Sequence, residues 1–257
     1  MAEAPLPELL IRRDLEPTRI PLRIEAPDVD AGEQAGAASD SHGVSELDAS
    51  SWCDYTTGFI RDPEGLLEKL ITEVKWEQSE IWRYDHAVPE RRLGAHLRFS
   101  DLNPALRQTA LHLSAHYRVR FTDATALYYR NGNDFQGRHS DRSLKWLDNT
   151  LVAGLVLGDS RPFQLRPRRD WRDPVARADA RHDVVLFPGK GDLLVMGGAC
   201  QREWVHGVPE TTSHEPRISV IWRWTSRNGR PDTAPSYREG RHYSDSTNRP
   251  GPRSRRV

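Results

Sequence analysis

Apolar positions follow two rhythms along this chain, and each marks a different kind of element. Leu66, Leu67, Leu70, Ile71 and Val74 recur at three-to-four spacing, the signature of one buried helix face. Asp62-Pro63-Glu64 precedes them and supplies an N-cap, a proline in the first turn and an early acid. Asn103-Pro104 opens a second predicted helix with Leu106, Ala110, Leu113 and Tyr117 on one side. From residue 121 the rhythm shortens to that of strands. Ala124–Tyr129, Leu151–Leu157, Phe163–Arg166, Val184–Phe187, Asp192–Met196 and Arg217–Trp224 are short and rich in β-branched or aromatic residues. Asn131-Gly132, Gly158-Asp159, Pro188-Gly189 and Gly197-Gly198 punctuate them as turns. Helices first and short strands later predict an α+β fold, with helices buttressing a two-sheet β structure. No internal repeat is visible.

The ends lack both rhythms. Ala, Gly, Asp, Glu and Pro dominate residues 1–51, most clearly from Glu25 onward, and such a segment buries too little apolar surface to offset its ordering entropy. Residues 227–257 are rich in Arg, Ser, Pro and Gly and read the same way. The expectation is a disordered N-terminal segment (1–51), a folded domain (52–226) and a disordered tail (227–257). Charge sharpens this division. Net charge is +0, but residues 1–50 carry four Arg against eleven acids, and residues 227–257 carry eight Arg against three. A basic tail of this kind suits contact with phosphates, and a solvated tail without a partner is the alternative.

Composition then excludes several classes. Apolar residues make up 37% of the 257, in runs far short of the roughly 20 needed to cross a bilayer, so no membrane partner is expected. The N-terminus shows no charged region followed by an apolar one, as a secretory signal requires. Two cysteines, Cys53 and Cys200, cannot build a disulfide scaffold or a Cys-rich zinc fold and are read as core fillers. A cytoplasmic location and a monomer are the expectations.

The candidate chemistry lies in His139-Ser140-Asp141 and in His206, 65 residues beyond Asp141. In extended backbone, residues at i and i+2 point to the same face. Two imidazoles and one carboxylate on one side of an octahedral metal leave three positions open, the facial arrangement of non-haem Fe(II) oxygenases. Zinc suits the set less well, since it prefers fewer ligands and often sulfur. His-x-Asp also arises by chance, and ten histidines offer many third partners. A second feature adds weight. Read as a strand, Arg217, Ser219, Ile221 and Arg223 share one face, while Ile218, Val220, Trp222 and Trp224 share the other. A guanidinium fork matches a carboxylate, so Arg217 is the candidate anchor for the far end of an iron-bound 2-oxo diacid, with Ser219 beside it. Arg223 would hold a further carboxylate or the substrate. Tyr129 ends a strand before His139 and could donate to the same diacid.

Tyr129–Asp141, the run from Gly191 through His206-Gly-Val-Pro, and Pro216-Arg217-Ile-Ser-Val-Ile-Trp-Arg223 together resemble the AlkB family of Fe(II)- and 2-oxoglutarate-dependent dioxygenases. The resemblance spans about residues 80–226. It implies a double-stranded β-helix, or jelly roll, with helices packed on one sheet. It implies His139, Asp141 and His206 as iron ligands and, with Arg223, as catalytic residues, and Tyr129, Arg217, Ser219 and Arg223 as 2-oxoglutarate contacts, with dioxygen as the other co-substrate. The implied activity is oxidative demethylation of N-alkylated bases, typically 1-methyladenine and 3-methylcytosine, in direct-reversal repair of DNA. The base must leave the stack to reach a metal, so an aromatic platform is expected. Phe99 is the positional candidate, followed by His96 and Trp82. Three departures fall on or near the substrate side. Leu127 stands where the family often has an Asn. Arg142-Ser143 replaces an acidic pair after His-x-Asp. Arg92–Arg98 replaces a Tyr-Gly pattern. These leave open the same oxidation on RNA, a protein or a small molecule. A non-catalytic β-domain binding a partner is the alternative from another class.

Overall fold

The computed structural model describes residues 9–23, 50–83, 86–141, 144–145, 147, 149–179 and 181–225, the side chains of 81–83 and 86 excepted. Its elements run β1 (Thr18–Pro21), β2 (Trp52–Thr56), α1 (Pro63–Glu73), β3 (Glu80–Arg83), β4 (His86–Pro89), β5 (Leu93–Leu97) and α2 (Pro104–His116). There follow β6 (Ala124–Tyr129), β7 (Gln136–His139), β8 (Thr150–Gly158), β9 (Phe163–Pro167), α3 (Arg168–Arg172) and α4 (Pro174–Ala178). The chain continues through β10 (Val184–Leu186), β11 (Asp192–Gly198), α5 (Cys200–Glu203), β12 (Trp204–Val208) and β13 (Arg217–Thr225).

Both long helices start as the sequence predicts. The Asp62 carboxylate accepts from the Gly65 N–H at 3.0 Å, and the Asn103 side chain accepts from the Ala105 N–H at 3.0 Å. Each places its apolar face on a seven-stranded sheet of order β1-β2-β11-β8-β13-β6-β5. A four-stranded sheet, β10-β9-β12-β7, faces the other side, and β3-β4 form a separate hairpin. All the pairings are antiparallel. The result is an α+β jelly roll with helices on one sheet.

Strand alternation divides the apolar residues between two cores. On β8, Leu151, Ala153, Leu155 and Leu157 face the helices, while Val152 packs between the sheets. On β13, Ile218, Val220, Trp222 and Trp224 join the helix-side core. That leaves Arg217, Ser219, Ile221 and Arg223 facing the space between the sheets, where they line the cavity described below.

The N-terminal boundary needs correction. Residues 9–23, expected within a disordered segment, belong to the fold. β1 pairs with β2, and Ile11 and Leu22 are buried. The Arg19 guanidinium donates through Nε and Nη2 to the buried Asp54 carboxylate, at 2.7 and 2.9 Å, and the Tyr117 hydroxyl donates to the same group at 2.9 Å. The averaged composition of 1–51 hides this short run of Leu, Ile and Arg. The rest of that segment (1–8 and 24–49) and the tail 227–257 lie outside the described residues, apart from 50 and 51. The expectation that strands follow the helices is also too simple, since β1–β5 precede α2. Cys53 and Cys200 are both buried and unpaired thiols. Among the described residues no helix is long and apolar enough to cross a membrane.

Candidate metal centre and co-substrate pocket

β7 and β12 pair with His206 directly opposite His139, and directly opposed residues in a ladder point to the same face. Their rings lie 4.5 Å apart between centroids, with the Phe163 ring stacked 5.6 Å from His206. The close approach depends on Gly207, where an added Cβ would fall 2.8 Å from the Gln136 carbonyl oxygen. After His139 the ladder stops, and Asp141 returns to the same side. Its backbone N–H donates to Gln201 Oε1 at 2.9 Å, and the Ser140 hydroxyl turns away to donate to the Trp204 carbonyl at 2.7 Å. Arg168 Nη2 donates to Ser140 Oγ and the Gln201 carbonyl, at 2.6 and 2.5 Å, and fastens the segment to α5. One ligand atom from each of His139, Asp141 and His206 lies within 4.8 Å of the others.

Electrostatics prepares this set for a cation. Burial pushes the His206 imidazole down to about 3, with the His139 ring adding to the effect and Asp141 opposing it, so the ring is neutral at pH 7. Burial alone would raise the Asp141 carboxyl. The Arg223 guanidinium and both histidines outweigh it and hold the group well below the usual carboxylate range. Arg223 Nε donates to Asp141 Oδ2 at 2.6 Å, while Oδ1 faces His139 Nε2 at 3.6 Å. One carboxylate oxygen is thus held by the protein and the other is turned toward the histidines. A neutral imidazole and an ionised carboxylate are the forms a metal requires, and neither has a proton to displace. These donors suit a borderline or hard divalent ion with open positions, such as Fe(II).

The second part of the site is a buried cation. Arg217, with 1% of its surface exposed, donates from Nη1 to Ser219 Oγ at 2.7 Å and lies 5.3 Å above the Tyr129 ring. Among the described residues its Nε–H has no partner and no carboxylate forms an ion pair with it. Burial lowers it to about 10, with neighbouring Arg161 adding to the shift. Arg161, equally buried, sits 5.5 Å from the Tyr129 ring and donates to the carbonyls of Asn131, Asp134 and Pro209. Such a guanidinium calls for an anion, and a carboxylate matches its fork.

A single cavity of about 690 Å³ joins the two parts, and its walls include His139, Asp141, His206, Tyr129, Arg217 and Ser219. Leu127 lies opposite Ser219 on the ladder and contributes an apolar wall.

The sequence-predicted residues therefore fall in distinct places. The cavity brings together His139, Asp141, His206, Tyr129, Arg217, Ser219 and Arg223, although Arg223 commits its Nε to Asp141. His96 reaches the wall, half exposed and 3.4 Å from Asp123 Oδ2. Phe99 does not line the cavity. It opens a 3-10 turn, its N–H donates to Asp123 Oδ1 at 2.7 Å, and its ring packs on the helix-side core. Trp82 stands opposite Ala87 in β3, with its side chain outside the described part, and Arg142 and Ser143 lie outside the described residues. Sequence reasoning missed Gln201, Arg161, Arg168 and Gln136. Gln201 and Arg161 reach their partners across some 30 to 60 residues of chain, with no local signal. Gln136 stands three residues before His139, close enough in sequence to be a local signal.

A family model described as the 2OG-Fe(II) oxygenase superfamily matches residues 47–242. The Homo sapiens alpha-ketoglutarate-dependent dioxygenase alkB homolog 3 is 28% identical over 209 residues, covering 72% of this chain and 71% of that protein. The Bos taurus DNA oxidative demethylase ALKBH2 is 24% identical over 191 residues, covering 66% and 68%. Among solved structures, an oxidoreductase of the 2OG-Fe(II) oxygenase family from Burkholderia pseudomallei aligns at 12% identity with a TM-score of 0.45, over 66% of this chain and 84% of that one.

Proposed function

This chain belongs to the 2OG-Fe(II) oxygenase superfamily as an AlkB-type member, and we propose that it demethylates N-alkylated bases in nucleic acid by iron- and 2-oxoglutarate-dependent oxidation. The observation that carries the reading is the joining, in one cavity, of a His-Asp-His cluster with a buried guanidinium that lacks a carboxylate. The curated relatives, named as an alpha-ketoglutarate-dependent dioxygenase and a DNA oxidative demethylase, support the substrate class.

In this reading His139, Asp141 and His206 hold Fe(II), and Arg217 with Ser219 takes the distal carboxylate of 2-oxoglutarate. Bound there with dioxygen, these groups supply the oxidation of an N-methyl substituent to a hydroxymethyl, which departs as formaldehyde. The chain's own residues do the rest. Arg223 fixes the rotamer of Asp141 through Oδ2 and leaves Oδ1 for the cation. Burial keeps His206 unprotonated at neutral pH, so its lone pair is available. The Tyr129 ring supports Arg217, and the residue lines the same cavity. Phe163, stacked on His206, gives that ring an apolar face.

The test is anaerobic loading with Fe(II) and 2-oxoglutarate, followed by air and oligonucleotides bearing 1-methyladenine or 3-methylcytosine. Formaldehyde and succinate should appear in equal amounts. Turnover of 2-oxoglutarate without formaldehyde from any methylated nucleic acid would move the chemistry to another substrate. Lack of turnover altogether would defeat the reading.

A further inference from the structure

Resting on the iron-binding reading above, we infer that Gln136 is a positioning residue that selects which nitrogen of His139 is offered to the metal. Gln136 opens β7 and lines the cavity. Its Nε2 lies 3.3 Å from His139 Nδ1, and the same Nδ1 lies 3.0 Å from the Gly137 carbonyl oxygen. Its other amide atom, Oε1, is buried without a donor.

These contacts are compatible in only one way once a metal binds. A carbonyl can only accept, so the Gly137 contact favours a proton on Nδ1. A proton there leaves the Nε2 lone pair facing Asp141 Oδ1 and available to the cation. The amide N–H2 of Gln136 then opposes another donor. A half-turn of the carboxamide removes the conflict, because Oε1 comes to Nδ1–H and the buried orphan acceptor gains a proton to accept. The NH2 group moves to the position Oε1 occupied. Two acceptors, Gly137 O and Gln136 Oε1, then share the Nδ1 proton and fix the ring about χ2 with Nε2 turned to the cation. Outer hydrogen bonds of this kind commonly change metal affinity about 10- to 100-fold.

The experiment compares Q136L, Q136N and Q136E with the full wild-type chain by titration with Co(II), and by the visible absorption of the anaerobic Fe(II)–2-oxoglutarate complex. Q136L should weaken Co(II) binding about 10- to 100-fold and shift the absorption, with little change in melting temperature. Q136N is one methylene shorter and should behave like Q136L. Q136E retains an acceptor at the right distance and should bind at least as tightly as wild type. Wild-type affinity and absorption in folded Q136L and Q136N would overturn the inference, as would a Q136E affinity as weak as that of Q136L. Should Q136L fail to fold, the contrast between Q136N and Q136E decides. The titration contains no nucleic acid, so its outcome is separate from the demethylation assay. A wild-type chain that bound no Co(II) or Fe(II) would defeat the iron reading itself.

Discussion

Burying a guanidinium without a carboxylate costs free energy unless something else neutralises it. Arg217 is in that position, so removing its charge should have opposite effects on folding and on binding. Arg217→Met is expected to leave the ligand-free protein as stable as wild type or more so, judged by melting temperature. It should raise the dissociation constant for 2-oxoglutarate by the equivalent of about 2–5 kcal/mol, measured calorimetrically with Co(II) present, because an anion in the pocket loses its buried partner. Co(II) binding without 2-oxoglutarate should be unchanged. The buried ligands also set a pH dependence. His206 has a folded value of about 3 against roughly 6.5 in the unfolded chain. As pH falls below about 6.5 the unfolded chain takes up a proton that the native ring does not, so native stability is present above that pH and is lost toward 3. Asp141, held below its unfolded value, acts in the same direction below about pH 4. The unfolding free energy of metal-free protein, measured by urea titration, should therefore fall as pH is lowered from 7 to 5, by up to about 1.4 kcal/mol per pH unit. The slope should be shallower in His206→Gln.

At the scale of elements, the site depends on the fit between β7 and β12. Gly207→Ala would bring a Cβ to 2.8 Å from the Gln136 carbonyl and force the ladder apart beside His206. The expected result is a loss of about 1–3 kcal/mol in stability together with at least about tenfold weaker Co(II) binding. Gly137→Ala is the control, because a Cβ there meets nothing within 4 Å, and it should change neither measurement. These two strands, like β1 to β5, were not legible in the sequence. β7 is the four-residue run Gln-Gly-Arg-His, too short and polar to alternate, and β12 is buried at every position, so no period of two is visible. The strands that do alternate between two cores, β8 and β13, were legible nearly to their ends, as were the helices marked by Asp62-Pro63 and Asn103-Pro104. The His-x-Asp spacing and the polar face of β13 suggested the cluster, because each follows from local backbone geometry. The contacts of Gln201 with Asp141 and of Arg161 with the 131–134 turn join distant parts of the chain, and only the folded register brings them together. β1 escaped notice for a different reason, since its stability comes from Asp54 and Tyr117 on other elements.

At the scale of the whole molecule, charge is unevenly divided along the chain. The cavity supplies a metal cluster and one anion anchor, while the surplus of basic residues lies in 227–257, with eight Arg against three acids. A nucleic-acid strand gains affinity from phosphate neutralisation and counterion release, which is strongly salt-dependent, whereas a single methylated nucleoside gains almost nothing from it. If the tail engages the strand, replacing Arg249, Arg253, Arg255 and Arg256 together by Gln should weaken binding to a methylated single-stranded oligonucleotide at low salt. It should also reduce the steepness of log affinity against log salt by up to roughly 3, at about 0.7 per lost phosphate contact. Turnover of a methylated nucleoside or trinucleotide, saturating in 2-oxoglutarate, should be unaffected, since so short a substrate offers too few phosphates for a tail contact to matter. Fluorescence anisotropy across a salt series gives the slope, and formaldehyde release gives the turnover. An unchanged slope would show that these four arginines make no phosphate contact and require such contacts to come from elsewhere in the chain. A parallel loss of turnover on the short substrate would show instead that the tail acts within the catalytic cavity.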